Sequence, residues 1–96
     1  MNFDDFRIDI EAKLKSIAKL ELLEYQYMPY HFGSGVLAYR AKGYNHKFVF
    51  DGRDNLLVWF KSRPHENYSQ ADFKEVKTIK GLNIAVDVLL EEMNKV

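Results

Sequence analysis

The chain reads as a two-layer α+β domain: an antiparallel meander of three to four strands packed on one N-terminal and one C-terminal helix, in the order α-β-β-β-β-α. Three observations predict it. Apolar residues keep a helical period near the N-terminus (Phe3, Phe6, Ile10, Leu14, Ile17). Period-two runs separated by turn formers fill residues 22–61. A helical period then returns at Phe73, Val76, Ile79, Leu82, Val86, Leu90 and Met93.

The first helix is expected over 3–18, capped by Asn2 or Asp4. Asp4, Asp5 and Asp9 lie toward its positive end and Lys13, Lys15 and Lys19 toward its negative end. "LLEYQYM" (22–28) is a strand in which Leu23, Tyr25 and Tyr27 alternate with Glu24 and Gln26, closed by Pro29. "HFGSG" (31–35) connects it to a strand at 36–41. Strands at 45–51 and 56–61 complete the meander.

Two turns set which side chains share a face. A two-residue turn with Gly43 first (type II′) joins the second strand to the third. Arg53-Asp54-Asn55 suits a three-residue hairpin loop with Asn55 in the left-handed region. That loop pairs Asp51 with Leu57, Phe50 with Val58, Val49 with Trp59 and Phe48 with Phe60. Leu37, Tyr39, Phe48, Phe50, Val58 and Phe60 then form the face beneath the helices. The opposite face would carry Val49, Leu57 and Trp59 at an apolar centre, rimmed by Arg40, Lys47 and Lys61. A one-residue slip would exchange the two.

"RPHENYSQ" (63–70) is expected to be a loop, with Ser69 and Asp72 capping a helix from about 70 to 93. Such a helix would run about 36 Å at ~1.5 Å per residue. A globule of this size is about 30–35 Å across. Either the helix spans the sheet or it breaks at Gly81, with Asn83 as the new cap.

Ninety-six residues make a single domain, 1–96. There is no cysteine, which excludes disulfides and thiolate chemistry and suits a reducing compartment. No stretch approaches the ~20 apolar residues of a membrane span, so the expectation is a cytoplasmic protein without membrane contact. Asn67-Tyr68-Ser69 matches a glycosylation sequon, read as a chance match. Net charge is zero but uneven: −2 over residues 1–30, +3 over 31–68 and −1 over 69–96. The middle is mildly basic and falls short of a dedicated nucleic-acid binder's footprint.

No catalytic constellation emerges. His31, His46 and His65 lack the helical spacing of a zinc motif and have no cysteine partners. "DGRDN" lacks the alternating donors and distal glutamate of a calcium loop. "GSG" (33–35) leads into a strand, where a phosphate loop would open a helix. Ser34 with His31 and Ser62 with His65 sit in no strand-turn-helix elbow. The expectation is no metal, no cofactor and no enzyme.

The element order resembles that of the double-stranded-RNA-binding domain. That family places a lysine cluster at the start of its last helix. The matching stretch here is "ADFKEVKTIK", in which Lys74, Lys77 and Lys80 are interrupted by Asp72 and Glu75. The alternative expectation is nucleic-acid binding through Arg53, Lys61, Arg63, Lys74, Lys77 and Lys80, with exposed tyrosines as stacking surfaces. The leading expectation is a small protein-binding module, whether regulator, chaperone-like adaptor or immunity-type inhibitor. It would hold a protein partner, or a second copy of itself as a homodimer, on the face centred at Val49, Leu57 and Trp59 and rimmed by Arg40, Lys47 and Lys61.

Overall fold

The computed structural model describes residues 1–63 and 73–94. It is an α+β fold of two layers, 33 × 27 × 19 Å. Helix α1 (Phe3–Lys15) is followed by strands β1 (Glu21–Met28), β2 (Ser34–Ala41), β3 (Tyr44–Asp51), β4 (Leu56–Ser62) and β5 (Lys74–Lys80), then helix α2 (Ala85–Asn94). The strands form one antiparallel sheet in sequence order. The expected 63–70 loop, His65, the sequon and the Ser69/Asp72 cap fall on or partly on residues outside those described.

Asn2 caps α1 with a reciprocal box: Asp5 N–H donates to Asn2 Oδ1 at 2.8 Å, and Asn2 N–H to Asp5 Oδ2 at 3.1 Å. The buried stripe Phe3, Phe6, Ile10 and Leu14 lies on the sheet. Phe3 stacks on Phe50 with ring centroids 6.1 Å apart, and Phe6 meets Phe48 edge-on at 6.0 Å. The helix ends at Lys15, earlier than expected, and Ile17 is exposed.

The main departure from expectation lies in the C-terminal third. Residues 74–80 form a strand where a helix was expected, so the sheet has five strands; the chain does break at Gly81, one of the two expected alternatives, and α2 follows from Ala85. Gly81 takes φ 87° and its N–H donates to Asn55 O at 2.7 Å. The three-residue spacing of Phe73, Val76 and Ile79 imitates a helix because β5 carries a bulge: Trp59 pairs with Lys77 and Phe60 with Glu75, leaving Val76 unpaired. β5 is an edge strand whose Lys74 and Lys80 are exposed, a charged border that discourages further pairing. Lys74, Lys77 and Lys80 therefore do not open a last helix, and the double-stranded-RNA-binding pattern is not reproduced.

The β2–β3 turn is Lys42-Gly43, with φ 53° and 79°. Two positive values make it type I′, where type II′ was expected. The register moves by two residues, so parity survives, and Leu37 and Tyr39 share the buried face with Phe48 and Phe50. The β3–β4 loop has four residues, 52–55, where three were expected. Asp51 Oδ1 accepts from the N–H of Arg53 at 3.0 Å and of Asp54 at 3.4 Å, an Asx turn that draws Gly52 into the loop. Asn55 is left-handed as expected (φ 54°). Asp51 now pairs with Leu56, Phe50 with Leu57, Val49 with Val58, and Phe48 with Trp59. One residue of slip turns β4 over: Leu57 and Trp59 join the helix-covered core, while Val58 and Phe60 turn to the other face.

Candidate functional site

The face expected to bind a partner is not assembled. Leu57 is fully buried and Trp59 is 2% exposed, both under the helices. The Trp59 indole N–H donates to His46 Nδ1 at 3.1 Å, and the two rings stack at 5.8 Å. Lys61 follows Trp59 by two residues and points to the same side, its ammonium 4.1 Å from the centroid of the Tyr44 ring. Of the six residues, only Val49, Arg40 and Lys47 stay on the helix-free side.

That side is organised in rows. Gln26, Val36, Val49, Val58 and Thr78 are successive cross-strand neighbours, and Ala38, Lys47 and Phe60 form the next row. Val36, Val49, Val58 and Phe60 are only partly exposed, and Ala38 is buried. The flanking cations are engaged within the chain. Arg40 Nη1 meets Glu21 Oε2 at 3.1 Å and its Nε–H donates to Asn45 Oδ1 at 3.1 Å. Lys47 Nζ lies 3.5 Å from Glu24 Oε1. The centre of this side is apolar through Val36, Val49, Val58 and Phe60 instead of Leu57 and Trp59, and the cations flanking it are neutralised from within.

Exposed aromatic surface is found elsewhere, at the end of the sheet where the β1–β2 loop meets the β3–β4 loop. Tyr30 is 97% exposed and Phe32 is 70% exposed. Phe32 adopts φ 59°, a left-handed conformation that a bulky residue adopts only at a cost. The surrounding backbone holds it there. His31 N–H donates to Met28 O and Ser34 N–H to His31 O, each at 3.0 Å, so two successive turns build the loop. Gly52 N–H donates to Ser34 Oγ at 3.0 Å, tying the two loops together. Gly52 is also required by contact, since a Cβ there would collide with the Phe32 carbonyl oxygen. The Arg53 guanidinium lies 5.9 Å from the Phe32 ring centroid, within cation–π range.

The result is a tip presenting Tyr, Phe and Arg on a fixed backbone. The sequence expectation treated "HFGSG" only as a connection between strands and missed the tip. The signal was present in "PYHFG", where two aromatics stand in a turn with no strand or helix period to bury them.

Among the described residues no group of three His, Cys, Asp or Glu side chains is placed to hold a metal ion. No described helix is long and apolar enough to cross a membrane. No family model, characterised protein or solved structure matches the chain, so the functional reading rests on this geometry.

Proposed function

We propose that the protein is a protein-binding module, a regulator, adaptor or inhibitor, that engages its partner through the tip formed by Tyr30, Phe32 and Arg53. The observation that carries this is the exposure of Phe32 in a backbone conformation that costs about 1–2 kcal/mol for a residue with a side chain. Holding an aromatic ring in water at such a cost is expected where the ring is used. Tyr and Arg are enriched among the residues that dominate interface energy, and rigid presentation lowers the ordering cost of binding. The contact surface thus moves from the sheet face, whose charges are already paired, to the loop end. A cytoplasmic location goes with this proposal and is supported only by the cysteine-free sequence.

The test compares the wild-type chain with a Tyr30→Ser, Phe32→Ser variant, both immobilised in native lysate. A protein retained by the wild type and lost from the folded variant supports the tip as the contact surface. Equal retention by both rejects it. Sedimentation of the two chains separates self-association from a foreign partner. A retained species removed by nuclease or moderate salt points to nucleic acid.

A further inference from the structure

We infer that the opposite end of the domain holds a second site, a pocket for a small aromatic carboxylate. A cavity of about 210 Å³ opens between α2 and the β2–β3 turn, lined by Lys42, Tyr44, His46, Trp59, Lys61 and Met93. Its walls are mostly flat and apolar: a phenol ring, an imidazole, an indole and a thioether. An apolar cavity of about 150 Å³ accepts a benzene ring, so this one takes a single ring carrying a small substituent.

The substituent is set by charge. Lys42 Nζ donates to the neutral Asn94 Oδ1 at 3.3 Å, and Lys61 lies over the neutral face of Tyr44. Neither ammonium has a carboxylate within 4.0 Å among the described residues. Both are held in place by uncharged groups, so among the described residues two positive charges at the pocket stand uncompensated. His46 adds no competing anion and offers no free nitrogen, since Nδ1 accepts from Trp59 and Nε2 lies 3.3 Å from Ala41 O. A carboxylate reaching the two lysines while its ring lies along Trp59 and Met93 satisfies both halves of the site. Nothing in this arrangement depends on the aromatic tip, so either site can fail alone.

Trp59 is the single tryptophan, so its fluorescence reports on the pocket directly. The probes are benzoate and phenylacetate, with benzamide as the uncharged isostere and inorganic phosphate as an anion without a ring. The expected result is saturable change with at least one carboxylate, with Kd in the millimolar range typical of so small a ligand, and none with benzamide or phosphate. Lys61→Met and Lys42→Met, each checked for folding by circular dichroism, should each weaken binding by about tenfold, the loss of one charge-assisted contact. Lack of saturation by both carboxylates at tens of millimolar overturns the proposal. So does equal binding of benzamide, an equal response to phosphate, or unchanged affinity in both folded lysine variants.

Discussion

Trp59 and His46 are joined inside the core by a hydrogen bond whose direction fixes the state of the imidazole. An indole N–H only donates, so His46 Nδ1 must be the unprotonated acceptor, and Nε2 carries the proton toward Ala41 O. An imidazolium would face the indole N–H with another donor. The histidine that looked like a stray candidate ligand is thus a neutral core residue, and it links stability to pH.

Burial pushes the His46 pKa down to about 4 from 6.5, with nearby Lys61 acting in the same direction and the bond to Ala41 O opposing. Between these values the unfolded chain takes up a proton that the folded chain refuses. The stabilisation is therefore complete above pH 6.5 and lost as pH falls toward 4. The loss approaches about 3 kcal/mol, at ~1.4 kcal/mol per pKa unit. Urea denaturation at a series of pH values should show this slope, and His46→Gln should flatten it. Parallel profiles for the two proteins would refute the linkage.

Trp59→Ala is expected to cost about 3–5 kcal/mol, the range for removing a buried aromatic residue. Trp59→Phe should keep much of the packing but leave His46 Nδ1 without its donor, costing about 1–3 kcal/mol. Chemical denaturation measures both. A Trp59→Ala protein of wild-type stability would mean the indole lies outside the core.

Gly52→Ala should disturb the tip without touching an aromatic residue. The added methyl meets the Phe32 carbonyl, which is backbone and cannot swing aside. Amide chemical shifts from Tyr30 to Ser34 should move, with stability reduced by about 1–3 kcal/mol. Unchanged shifts in that loop would show that the two loops are not in contact.

Phe32→Gly should behave unlike most glycine substitutions. Relief of the left-handed strain, about 1–2 kcal/mol, offsets the backbone entropy of glycine, about 0.5–1 kcal/mol. The variant should be as stable as wild type or slightly more so, yet lose the proposed partner. A clear drop in its thermal midpoint would indicate that the ring contributes to folding and is not held out for binding.

Asn2→Ala removes one arm of the capping box and should cost about 1 kcal/mol. Asp5→Ala removes the other, and the double variant should cost less than the two single losses together, because the arms act on one helix end. Strict additivity in urea denaturation would argue against a reciprocal box.

The sequence by itself determined the α+β class, the N-terminal helix with its Phe3, Phe6, Ile10 and Leu14 stripe, the first four strands and the parity of β2 and β3. Those features follow from local periods and from a β2–β3 turn whose error was two residues, which keeps parity. Three things were decided only by tertiary structure. The Asp51 side chain captured two backbone amides and lengthened a turn by one residue, and because a strand repeats every two residues this sent Trp59 inward. The bulge at Val76 gave an edge strand a helical spacing, and only pairing with β4 reveals it as a strand. The aromatic tip exists because Gly52 and Ser34, eighteen residues apart, hold the Phe32 backbone where no local preference would put it. Local pattern fixes which residues seek burial. Which way a strand faces, and which ring is left in water, depends on contacts between segments distant in the chain.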